Sequence, residues 1–266
     1  MEFFATCNGI PVHISDTSRG EKCLIFLHGY LETLYIWDDF INLLPDIIRV
    51  ITIDLPGHGL TGSNKEENSI PFMADVVNSV LDLCNVESAY IVGHSMGGYV
   101  AIEAARRYYD RFDGLILMHS TPWADSDEKR LDREREIELI RNAKLSLIVK
   151  TAIPKMFAKE NLRRMDEKIY EIVELAETHD PEGIIATIRG LMHRPDNLEF
   201  LKKYRKPLLL FFGMNDIHIP VDKAVILQHE LSDAKSIFLL HSGHNGFLEE
   251  PSIVCDELLR FIGLNV

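Results

Sequence analysis

The sequence predicts an α/β fold, a mostly parallel, doubly wound sheet carrying a helical insertion. Three observations predict it. Short β-branched runs bounded by turn residues recur along the chain, helical patterns fill the gaps between the later ones, and one long stretch has helix signals alone. Alternation of strands and helices implies a sheet covered by helices on both faces. At 266 residues, 46% apolar and 26% charged, the chain has the size and composition of an ordinary globular protein with a sizeable core.

Taken in order, Phe3–Thr6 and Pro11–Ser15 flank Asn8-Gly9, a two-residue hairpin signal, so the chain is expected to open with an antiparallel pair. Further strands are read at Cys23–Leu27, Val50–Asp54, Ala89–Val92, Gly114–Met118, Leu208–Phe212 and Ser236–Leu240. Several are apolar without alternation, as in strands buried on both faces. Helical spacing appears at Ile70–Leu83 (Met73, Val76, Val77, Val80, Leu81), at Met96–Tyr108 and at Val221–Leu231. From Thr121 to about Pro195 only helix signals occur. They are a charged amphipathic stretch at Ser126–Asn142, an apolar one at Lys144–Phe157 interrupted by Pro154, and Leu162–Glu177; after these Asp180-Pro181 reads as a helix start. The expected organisation is therefore a core of residues 1–120 and 196–266, with 121–195 as a helical cap over one end of the sheet.

Composition excludes several roles. The net charge of −13 argues against nucleic acid as the main partner. The longest apolar runs, such as Pro207–Phe212, fall far short of the about 20 residues that cross a membrane. No basic-then-apolar leader opens the chain, and Cys7, Cys23, Cys84 and Cys255 are scattered with no C-x-x-C pair. Buried thiols in a reducing cytoplasm are the expectation. Neither a nucleotide-binding glycine motif nor a cluster with metal-ligand spacing is present, so metal-free chemistry without a cofactor is expected.

The stretch that carries chemistry is Gly93-His94-Ser95-Met96-Gly97, a G-x-S-x-G that follows an apolar strand and opens a helix. In that context it reads as a nucleophile elbow, with the serine presented at a helix N-terminus. A serine hydroxyl needs a base, and the base an orienting acid. Eleven histidines compete. His244, in the polar turn Ser242–Gly246 after the last strand, is the favoured base, with His241 its nearest rival. Asp216, in the strand-end loop Gly213–Asp216, is the favoured acid. The order Ser95, Asp216, His244 is one of the known chain orders of such triads.

With these residues in place the sequence resembles the α/β-hydrolase superfamily, on both sides of the helical insertion. Leu27-His28-Gly29-Tyr30 resembles its His-Gly oxyanion loop, Asp54-Leu55-Pro56-Gly57-His58-Gly59 its D-x-P-G-x-G turn, Gly213–Asp216 with Pro220 its acid loop, and Gly243-His244 with Glu249-Glu250-Pro251 its histidine loop. The resemblance implies the α/β-hydrolase type of sheet and a serine hydrolase, with the backbone N–H groups of Tyr30 and Met96 as oxyanion hole. Ser95 argues against the dehalogenases and epoxide hydrolases of the superfamily, which use aspartate there. The expected partner is a small-molecule ester, cleaved by a carboxylesterase. The alternatives are a carbon–carbon bond hydrolase or lyase on an anionic substrate, and a ligand-binding or sensor protein on the same fold.

Tyr30-Leu31-Glu32 departs from the small residues many relatives carry after His-Gly, which puts Leu31 and Glu32 among the expected pocket residues. From the cap, the apolar Leu147, Ile148, Ile153, Met156, Phe157, Leu191 and Met192 are expected to line the pocket. Its basic residues interleave with acids, as in Asp132–Glu136, and are expected to form a solvated face. An acidic core and an apolar roof predict a preference for neutral esters, unless cap arginines such as Arg133, Arg141 or Arg189 reach inward.

Overall fold

The computed structural model describes residues 1–64 and 66–264. Its strands are β1 (Glu2–Cys7), β2 (Ile10–Asp16), β3 (Lys22–Leu27), β4 (Ile48–Ile53), β5 (Ala89–His94), β6 (Phe112–Met118), β7 (Leu208–Gly213) and β8 (Lys235–Leu239). They form one sheet in the order β1-β2-β4-β3-β5-β6-β7-β8. The β1–β2 and β2–β4 pairs are antiparallel and the remaining pairs parallel. Asn8 and Gly9 both take positive φ, 46° and 85°, the conformation that a tight hairpin matched to strand twist requires.

Alternation along the central strands separates two apolar layers. In β3, Cys23, Ile25 and Leu27 pack in one layer with the Ile70–Leu83 and Met96–Arg107 helices, while Leu24 and Phe26 pack in the other with Trp37, Phe40 and Leu258. Each such fully buried side chain stabilises the fold by about 1.5–3 kcal/mol. The Ile70–Leu83 helix has the predicted bounds because Ser69 caps it, accepting from Phe72 N, and Pro71 occupies its first turn.

Between β6 and β7 the described residues form helices and no strand. Asp127–Arg141 is capped by Ser126 and Pro181–Met192 by Asp180. The stretch around Pro154 departs from a single helix. An α-helix runs over Leu145–Ala152 and tightens into a 3-10 turn at Ile153–Met156, because proline offers no N–H to continue the ladder. A short helix at Leu198–Lys203, before β7, and a longer one at Pro251–Phe261, after β8, are among the elements that periodicity did not signal. All four cysteines are buried and free, and no helix of the described residues is long and apolar enough to cross a membrane.

Candidate active site

The carboxyl ends of the parallel strands carry the site. Ser95 lies between β5 and the Met96–Arg107 helix with φ +49° and ψ −113°, a conformation that a non-glycine residue holds only under strain. The turn is fixed by Ser95 N donating to the Met118 carbonyl (3.0 Å) and by Ser120 Oγ and Gly98 N donating to the Ser95 carbonyl (2.8 and 3.0 Å). A Cβ on Gly93 would strike the Gly97 carbonyl and one on Gly97 the Leu27 carbonyl, so both positions need glycine.

Ser95 Oγ is 2.8 Å from His244 Nε2, and His244 Nδ1 is 2.7 Å from Asp216 Oδ2. Asp216 Oδ1 in turn accepts from the backbone N–H groups of His218 (2.8 Å) and Ile219 (3.0 Å). Burial opposes ionisation of Asp216, but His244 and His119 beside it outweigh burial and hold the carboxyl well below the usual range. The rival His241 stays at the surface beside Glu160.

Directly after β3, His28 Nδ1 donates to the Gly29 carbonyl (2.7 Å), while its Nε2 accepts from Leu55 N (2.9 Å). A trans peptide points its carbonyl and N–H in opposite directions. Anchoring the Gly29 carbonyl therefore directs the Tyr30 N–H away from His28. Among the described residues neither Tyr30 N nor Met96 N donates to a protein acceptor. The Tyr30 phenol enters the cavity and donates to Glu136 (2.8 Å).

Above Ser95 is a cavity of about 510 Å³. Of the apolar residues expected to line it, Leu31, Ile153, Met156 and Leu191 do so. The others are placed elsewhere. Leu147 is 57% exposed, on the outer face of its helix. Ile148 and Met192 are half-buried against the second apolar layer, and Phe157, where the chain turns extended after Pro154, is buried within it. Glu32 also leaves the cavity. Leu31 takes φ +63°, which turns the chain so that Glu32 is buried beneath the loop, with its carboxylate on Gly29 N (2.6 Å) and beside His94 (2.9 Å).

The expectation of a solvated charged face needs correction at Arg133. Arg130, Arg135 and Arg141 pair outward with Asp127, Asp132 and Glu138. Arg133 instead shares the inward face with Ile137 and Ile140, and it meets Asp125 at the cavity wall together with Arg194. Arg194 stacks over the Tyr99 ring at 4.1 Å.

Two further residues at the site escaped sequence reasoning. His119 Nδ1 is 3.4 Å from Asp216 Oδ2, while its Nε2 accepts from Gly246 N (3.1 Å), which assigns the proton to Nδ1. Burial pushes this imidazole down to about 4, so it stays neutral. The other is His218, whose ring stands 4.9 Å from that of His244 at the cavity wall. The signals were their positions: His119 follows β6 directly, at the carboxyl edge where such sheets bind ligands, and His218 lies two residues past Asp216.

A family model for the alpha/beta hydrolase fold matches residues 22–251. The chain is similar to a pimeloyl-acyl-carrier-protein methyl ester esterase of Nitrosomonas europaea, 27% identical over 90% of this chain and 95% of that protein. It is also similar to a 2-hydroxy-6-oxononadienedioate/2-hydroxy-6-oxononatrienedioate hydrolase of Paraburkholderia phymatum, 27% identical over 96% of this chain and 91% of that one. Among solved structures, a thermophilic esterase from Thermogutta terrifontis with malate bound superposes with a TM-score of 0.92 at 26% identity, covering 98% of each chain.

Proposed function

The chain belongs to the alpha/beta hydrolase fold family, and within it we propose a serine-dependent ester hydrolase that works through an acyl-enzyme. The observation that carries this reading is the unbroken line from Ser95 Oγ through His244 to Asp216, opening on the cavity. Ser95 is the nucleophile. As its Oγ bonds to the substrate carbonyl carbon, His244 Nε2 takes the hydroxyl proton, and Asp216 holds the imidazole tautomer and balances its charge. The Tyr30 and Met96 N–H groups receive the oxyanion, each worth about 3–4 kcal/mol of transition-state stabilisation. Collapse of the tetrahedral intermediate breaks the ester bond, and the departing alkoxide takes the proton from His244. Water, deprotonated by the same imidazole, then releases the acid and frees Ser95. The 121–195 segment acts as a cap that shapes the pocket.

Small or medium neutral esters suit a lining in which charge balances. Lys129, Arg133, Arg194 and Lys223 face Asp125, Glu128, Asp132 and Glu136 around one cavity. A second reading has one observation in its favour. Arg133 meets Asp125 through Nε alone, and among the described residues its terminal guanidinium nitrogens have no partner. That edge suits a substrate bearing a carboxylate, as carbon–carbon hydrolysis of a dioate would require.

The test is turnover of a chromogenic butanoyl ester, with a fluorophosphonate label mapped to its residue. Ser95→Ala should fold normally, abolish labelling and lower kcat/KM by several orders of magnitude. Labelling at any other residue would overturn the assignment. Comparison with a matched monosuccinyl ester separates the two substrate readings, since a clear preference for the anionic ester would favour the second.

A further inference from the structure

Behind the Ser95 turn, a second hydrogen-bonded line joins the two loops that the proposed reaction uses. Glu32 Oε2 accepts from Gly29 N at 2.6 Å and lies 2.9 Å from His94 Nδ1, while His94 Nε2 lies 2.8 Å from the His244 carbonyl oxygen. Glu32 and His94 are both buried. A peptide carbonyl only accepts, so His94 Nε2 carries a proton. With that nitrogen protonated, the contact between Nδ1 and Glu32 is a hydrogen bond only if a second proton lies between them. The unit therefore holds two protons and is net neutral, and the Gly29 N–H already donated to Oε2 favours carboxylate with imidazolium over acid with neutral imidazole.

We propose that Glu32 and His94 are positioning residues, a buried carboxylate–imidazolium pair that ties the oxyanion loop to the loop carrying His244. The proposal rests on the Ser95–His244 reading of the site. Burial works against both charges, yet the partner, aided by the Gly29 N–H on Glu32 and the His244 carbonyl on His94, outweighs it, holding Glu32 below its ordinary value and His94 above. Among the described residues, the other titratable groups facing the pair include His28, His119, His218, His244 and Asp216, with the His244 ring 5.1 Å and the His119 ring 6.1 Å from His94. The Trp37 and Phe247 rings pack on His94. When His94 loses its second proton at alkaline pH, one of its two bonds breaks and a buried carboxylate is left uncompensated. The loops then lose their common anchor. Oxyanion and base geometry matter most in the transition state, so kcat falls while KM changes little.

Histidine-selective 15N NMR of the whole chain at pH 8 reads the pair directly, because a free histidine with a value of about 6.5 is neutral there. The expected result is a doubly protonated imidazole signal that disappears in His94→Asn, the variant that separates it from any signal of His13, whose ring nitrogens both face carboxylate oxygens at 2.7 Å. Glu32→Gln keeps the shape and removes the counter-charge. It should lower kcat by on the order of 10-fold to 100-fold, leave KM within about twofold, and move the alkaline limb of kcat to lower pH. A neutral His94 at pH 8, or an alkaline limb unmoved in Glu32→Gln, would overturn the proposal. The NMR result stands apart from the function assignment, which fails separately if the phosphonate does not label Ser95.

Discussion

On the floor of the cavity, polar groups are aimed by backbone: the strained Ser95 turn, the Gly29–Tyr30 peptide and the N–H pair holding Asp216. The proposed roof, the segment between β6 and β7, supplies side chains instead, with Arg133 and Arg194 against Asp125 and aliphatic groups from Ile153, Met156 and Leu191. Positions that backbone fixes tolerate little change, because a misplaced donor loses its transition-state contact outright. Side chains on helices can be exchanged with the fold intact. The floor should therefore govern rate and the roof should govern choice of substrate.

The largest expected effect breaks the floor. Asp216→Asn should reduce kcat by on the order of 10⁴-fold by spoiling the His244 tautomer, whereas the exposed Asp222→Asn should leave it unchanged. Steady-state kinetics on the butanoyl ester decide this, and a fully active Asp216→Asn enzyme would refute the arrangement. A smaller loss follows at the second imidazole on Asp216. His119→Phe removes a longer, weaker contact (3.4 Å), so kcat should fall about tenfold with Ser95 still labelled. An unchanged kcat in a folded variant would remove His119 from the site.

Changes in the roof should act differently. Arg133→Gln should shift the ratio of kcat/KM between anionic and neutral esters several-fold while leaving phosphonate labelling of Ser95 at its original rate. Arg194 still faces Asp125, so the stability cost should stay near about 1–3 kcal/mol, measurable as a drop in Tm. Loss of labelling in this variant would contradict the division between floor and roof.

The smallest effect concerns pH and sharpens the same contrast. Burial pushes His119 and His179 down to about 4, and it lowers His28 and His58 as well. In the unfolded chain these groups take up protons from about pH 6.5 downward, before the folded chain can. The stability these four contribute is thus fully present above about 6.5 and falls with acidification, by about 1.4 kcal/mol per pH unit for each such histidine until its folded value is reached. Below about pH 4 the depressed carboxyls add to the loss: Asp216, Asp125 and Glu32 contribute stability present above their unfolded values and lost as pH falls through their folded ones. Tm should decline from pH 7 to pH 4, and a flat profile would contradict the neutral buried histidines.

What the sequence by itself determined is the part in which local backbone demands a residue type. Gly93 and Gly97 stand where no side chain fits, Asn8-Gly9 where φ must be positive, and the periodicity of Ile70–Leu83 matches one buried helix face. Ser95, Asp216 and His244 could be proposed from sequence on similar grounds, since each lies in the loop that follows a strand. Tertiary structure alone decided which side chains meet across loops. Nothing near Glu32 in the chain announces that Leu31 will turn it under the loop toward His94, 62 residues away. Arg133 looks like its neighbours in a charged helix until packing of Ile137 and Ile140 carries it inward. His119 meets Asp216 because β6 and β7 lie side by side. Through-space contacts of this kind depend on the register of distant segments, which local propensity and periodicity do not encode.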